Sequence, residues 1–66
     1  MSANNFLNVK ELENARFHLT MKDMDTNHVM FDYGTFPTIK KAIQKANSVQ
    51  KEEVVEYGLY IDIIKE

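Results

Sequence analysis

Val55-Glu56-Tyr57-Gly58-Leu59-Tyr60-Ile61-Asp62-Ile63 places a large apolar residue at every second position, with Glu56, Gly58 and Asp62 between them. Side chains alternate across a strand, so a period of two lines one complete face with core-sized residues. The stretch therefore predicts a sheet as the foundation of the fold. The closing strand is read from Glu53 to Ile64.

Working back from it, residues 37–50 read as a helix. Ile39, Ala42, Ile43, Ala46 and Val49 recur at helical spacing and form one apolar stripe, while Lys40, Lys41, Gln44, Lys45 and Ser48 cover the remainder. Pro37 suits a first helical turn, where its missing N–H has no intrahelical partner. The spacing Phe36-x-Thr38-x-x-x-Ala42-x-x-x-Ala46 resembles one found in many small α+β domains, some antitoxins among them. It records how a helix packs on a sheet and assigns no family.

Residues 15–33 read as a β-hairpin. Ala15, Phe17, Leu19 and Met21 lie on one face of its first strand, and Val29, Phe31 and Tyr33 on one face of its second. Asp23-Met24-Asp25-Thr26-Asn27 supplies the turn, and Gly34 ends the second strand. Matching the apolar faces pairs Lys22 with His28, Met21 with Val29, Thr20 with Met30, Leu19 with Phe31, His18 with Asp32 and Phe17 with Tyr33. Residues 1–14 fit two structures: a single turn opened by an Asn8–Glu11 capping box, or a short strand from Asn5 to Val9.

The expected fold is one small α+β domain over residues 1–66, ordered strand-strand-helix-strand. A right-handed crossover gives a three-stranded antiparallel or mixed sheet of order 2-1-3 with the helix on one face. A chain of this size buries only about 60% of the surface its unfolded form exposes. There is no cysteine, so disulfides and thiolate zinc sites are excluded, and self-association, most simply as a homodimer, is the remaining means of reinforcement. The first eight residues carry no secretory signal and no apolar run reaches the ~18 residues of a membrane span, so the cytoplasm is the default compartment and no membrane is expected as a partner.

The uncovered sheet face holds the candidate site. Met30, Val54, Tyr60 and Ile64 add apolar area beside Arg16, His18, Lys22, Asp32 and Asp62, the pattern of a binding patch with a polar rim. Either a partner or Phe6, Leu7 and Leu12 of the leading segment covers it. Arg16, His18, Met30, Asp32, Tyr60 and Ile64 are the expected partner contacts, led by Tyr60 and Arg16 because hot spots favour those residue types. His18 opposite Asp32 is read as a cross-strand ion pair, since no nucleophile motif or phosphate-binding glycine loop accompanies it. Asp23, Asp25 and Asn27 match the first three ligands of a calcium loop, but His28 occupies the position that needs glycine, so a turn is the reading and no metal is expected.

Charge is unevenly spread. Residues 38–51 hold Lys40, Lys41, Lys45 and Lys51 without an acid, and residues 52–66 are acidic, within a net charge of −2. The function expected from these features is a non-catalytic protein-binding regulator or inhibitor without cofactors. A phage or mobile-element protein acting on a host enzyme or defence system fits that description, because tiny cysteine-free proteins of this kind are common there. The alternatives are a nucleic-acid-binding regulator using the four lysines, or an oligomer that captures a small anionic ligand such as a nucleotide.

Overall fold

The computed structural model describes residues 4–64. Five elements follow in order: β1 (Asn5–Glu11), β2 (Phe17–Asp23), β3 (Val29–Phe36), α1 (Ile39–Glu52) and β4 (Leu59–Asp62). They form an α+β fold with one helix and one mixed sheet of four strands, ordered β3-β2-β1-β4.

The sheet corrects the three-stranded 2-1-3 expectation. Of the two structures expected for the leading segment, the capped turn is not formed and the strand is. It is a seven-residue strand at the sheet centre, antiparallel to β2 and parallel to β4. Asn5 and Asn8 disguise it, because polar residues break the apolar alternation a central strand usually shows. Both are buried with their side chains hydrogen-bonded. Asn5 Nδ2 donates to Val54 O at 3.0 Å and to Met21 Sδ at 3.3 Å, and its Oδ1 accepts from Glu56 N–H at 3.0 Å. Asn8 Nδ2 donates to Asp62 Oδ2 at 3.0 Å. The crossover β3-α1-β4 joins parallel strands and passes two intervening strands rather than one.

Between β2 and β3 the register also departs from the expected one. The turn is one residue tighter: Asp23 N–H bonds His28 O, Asn27 N–H bonds Asp23 O, and Asn27 takes φ 64. The Asp23 carboxylate drives this by accepting the Asp25 and Thr26 amides, each at 2.9 Å. Lys22 then faces Val29, Met21 faces Phe31, Thr20 faces Asp32, His18 faces Thr35 and Phe17 faces Phe36, with two bulges absorbing the extra residues. Gly34 does not end β3; at φ 89 it lies in the second bulge, and the strand continues to Phe36.

Helix α1 begins two residues later than expected because Thr38, not Pro37, opens it: Thr38 Oγ1 caps the Lys41 amide at 3.2 Å. It ends at Glu52 rather than Gln50, with Glu53 N–H closing on Val49 O. Ala42, Ala46 and Val49 pack on Leu7, Val9, Leu19 and Met21 to form the core. No helix among the described residues is long and apolar enough to cross a membrane.

The closing strand is far shorter than residues 53–64, for residues 53–58 carry the chain from the helix to the sheet. Gly58, at φ 79, sets its phase: Tyr57 N–H reaches Asn5 O, and Gly58 O then accepts from Leu7 N–H. Val55 and Leu59 join the core, but Tyr57, Ile61 and Ile63 remain 46%, 42% and 46% exposed. The period-two face is half used because α1 lies over β1, β2 and β3.

Asn5 pins the α1–β4 connection to the central strand, and its loss strands a buried acceptor and donor. Asn5→Ala is expected to destabilise the fold by about 2 kcal/mol. Urea unfolding reads this against exposed Asn47→Ala, which is expected to change stability by less than about 0.5 kcal/mol.

Candidate protein-binding face

Odd-numbered residues of β1 face the helix, so Phe6, Asn8 and Lys10 face the other way. Register then arranges the uncovered face as a grid. One row runs Asp32–Thr20–Asn8–Tyr60 across the four strands, and the next runs Thr35–His18–Lys10–Asp62. Phe6 stands beside Lys22 in the row toward the hairpin turn.

Among the described residues no element crosses this face, yet its centre is dry: Asn8 and Thr20 are each 4% exposed, shielded by longer neighbours. Tyr60 meets Phe6 edge to face, with ring centroids 5.3 Å apart and planes at 81°. This geometry sets the positive rim of one ring against the negative face of the other. Phe6 is buried, whereas Tyr60 stays 48% exposed. With Asn8, Met24 and Asp62 the two rings line a shallow cavity of about 220 Å³.

At the opposite edge Arg16, His18 and Asp32 come together. Arg16 Nε donates to Thr35 Oγ1 at 3.0 Å. His18 Nε2 lies 2.8 Å from Asp32 Oδ1, and that same oxygen accepts the Gly34 amide at 2.8 Å. An ionised carboxylate only accepts, so Nε2 carries the donated proton. The His18–Asp32 contact forms although the two residues are not directly opposed; the Gly34 bulge makes them diagonal neighbours. The hydrogen bond from His18, then that from Gly34, then attraction to the imidazole hold the Asp32 carboxyl below its ordinary range.

The six expected contact residues are therefore dispersed. Arg16, His18 and Asp32 form one cluster, and Tyr60 shares their face two strand spacings from His18 and three from Asp32, roughly 10 and 14 Å. Met30 is the extra residue of the first bulge, near the hairpin end. Ile64 lies past the end of β4, where its N–H donates to Glu11 Oε1 and its side chain lines a second cavity of about 320 Å³ with Leu12 and Ala15. Sequence reasoning missed Phe6, Asn8 and Lys10, which belong to the face because β1 is a strand. The apolar-polar switch at Phe6-Leu7-Asn8-Val9-Lys10 was the signal available, with Leu7 and Val9 on the core side.

Lys40, Lys41, Lys45 and Lys51 are all exposed on α1, and the ion pair found among the described residues, His18–Asp32, involves none of them. Asp23 and Asp25 are engaged within the hairpin end, Asp25 accepting from Asn4 Nδ2 at 2.9 Å. Comparison with protein families, curated proteins and solved structures gives no match.

A depressed carboxyl adds stability that is complete above its unfolded pKa of about 3.9 and disappears as pH falls through the lower folded value. Thermal unfolding followed by circular dichroism from neutral pH to pH ~2 should therefore show a steeper acid decline for the parent chain than for Asp32→Asn. Parallel curves would mean that the His18–Asp32 contact does not persist in solution.

Proposed function

We propose that this chain is a non-catalytic protein-binding regulator or inhibitor that presents its helix-free sheet face to another protein in the cytoplasm. The observation that carries this reading is the half-exposed Tyr60 ring braced by buried Phe6 over a shallow cavity, with Lys10, Lys22 and Asp62 beside it and the His18–Asp32 pair at the far margin of the same face. An aromatic anchor held in one orientation loses little side-chain entropy on binding, and alternating charges around it select partners by complementarity. Arg16, with its guanidinium on Thr35, extends the charged margin. Met30 and Ile64 are more distant contacts that a large partner would reach.

Small host-directed inhibitors of phage or mobile-element origin act in this way, by occupying a surface of a host enzyme or defence protein. His18 and Asp32 serve as recognition groups in this reading. Their contact spans an open sheet, and Asp32 is also committed to the backbone of the bulge.

A second reading has its own support. Lys40, Lys41, Lys45 and Lys51 are exposed cations along α1, with no ion pair to them among the described residues, an arrangement that suits phosphates, whether of a nucleic acid or of a small anionic ligand such as a nucleotide.

Pull-down from lysate with mass-spectrometric identification tests the first reading, using Arg16→Ala/Tyr60→Ala as the control bait. That double variant is expected to lose the partner while keeping its circular dichroism spectrum, and equal retention removes the face from consideration. Titrating salt against binding to random-sequence DNA and RNA separates the second reading. Phosphate binding weakens steeply with salt and with Lys41→Glu/Lys45→Glu, whereas an apolar interface is far less sensitive.

A further inference from the structure

Strand β4 forms one margin of the sheet, and among the described residues no strand pairs with its outer side. The phase of its ladder identifies the groups left there. Leu7 N–H donates to Gly58 O at 2.8 Å, and β1 and β4 stay in unbroken parallel register from Leu7–Leu59 to Lys10–Asp62. In a parallel ladder alternate residues turn both backbone groups toward the neighbour. Gly58, Tyr60 and Asp62 serve β1, so the N–H and C=O of Leu59, Ile61 and Ile63 point away from it.

Proteins usually protect such a margin with charge, proline or a bulge. The opposite margin, β3, has two bulges. β4 has neither bulge nor proline, and the side chains beside its free backbone groups are half-exposed Ile61 and Ile63, beyond the reach of α1.

We propose that β4 pairs antiparallel with the β4 of a second copy of this chain, about a two-fold axis at Ile61, joining two four-stranded sheets into one of eight strands. Self-complementarity argues for a second copy as the occupant. Centring on Ile61 opposes Leu59 to Ile63 on the helix side, and their outward groups together with those of Ile61 exchange about six hydrogen bonds. On the other face the Tyr60 hydroxyl meets the Asp62 carboxylate of the other copy, donor to acceptor. Centring on Asp62 would oppose two carboxylates, which is unfavourable. Centring on Tyr60 would set Ile63 against Tyr57, whose amide already serves Asn5 O. The pairing brings the two isoleucine rows into contact and sets the two helix-free faces side by side. It stands independently of the partner reading above.

Sedimentation or light scattering over a concentration series tests this, with the parent chain shifting from 7.7 kDa toward twice that mass. Ile61→Pro removes an outward N–H and spares the β1 ladder. This variant and Ile61→Lys should each weaken association at least about tenfold at unchanged helix content. Should both unfold, Ile61→Cys decides, because the chain has no other cysteine. Hydrogen-bonded antiparallel neighbours have Cα atoms about 5.5 Å apart, within disulfide range. Mild oxidation should therefore cross-link Ile61→Cys but not Asp32→Cys. A parent chain that stays monomeric throughout overturns the proposal, as does a dimer that cross-links through Asp32→Cys and not through Ile61→Cys.

Discussion

Everything in this fold depends on one strand keeping two neighbours of opposite direction. β1 hydrogen-bonds to β2 on one side and to β4 on the other. Its core-facing Leu7 and Val9, both fully buried, receive α1. Its other face carries Phe6, which braces Tyr60, and Asn8, which holds Asp62. Asn5 ties it to the segment that brings β4 into place. A buried asparagine is costly unless its amide is satisfied, and here the satisfaction specifies where β4 must dock. Polar residues that look out of place in a central strand are what align it.

Geometry then divides the sheet into unequal zones. One helix is about 10 Å across, and four strands span roughly 14 Å between the outer axes. Only Ala42, Ala46 and Val49 of α1 are fully buried, and small residues at two of these three positions let the helix settle close over β1 and β2. That closeness keeps the core dry but leaves β4 at the margin, with its apolar row half in water. On the far side, burial at Asn8 and Thr20 comes from their own neighbours in the sheet, not from a covering layer.

How far the residues alone disclose this depends on which signal each element carries. α1 is readable because its stripe has one period, and its ends move by only two residues for cap chemistry at Thr38 and Glu53. β2 and β3 are readable as strands, but their register is not, because the Asp23 carboxylate tightens the turn and two bulges follow. Bulges leave almost no mark on an alternating pattern except a glycine such as Gly34. β1 is readable as one of two alternatives, but its central place in the sheet is hidden by its buried asparagines, whose partners in the β4 segment are about fifty residues distant in sequence. The apolar alternation from Val55 to Ile63 signals a sheet, but it overstates the strand and the core. Alternation records which way side chains point, not whether a helix is wide enough to meet them. Of the candidate face, the His18–Asp32 contact was expected from matching the hairpin's apolar faces, although the bulge makes the two diagonal rather than opposed, whereas the Phe6–Tyr60 stack required knowing that β1 lies beside β4.

The parallel seam joins Leu7 to Leu59, so β1 is synthesised about fifty residues before the strand that occupies its second flank. Until then a nascent chain exposes Leu7, Val9 and their unpaired amides, although the hairpin and α1 need only local contacts. Closing that seam spans the longest loop among the strand pairings and so carries the largest loop-closure entropy. On the ribosome β1 therefore keeps its second flank open until β4 has cleared the exit tunnel.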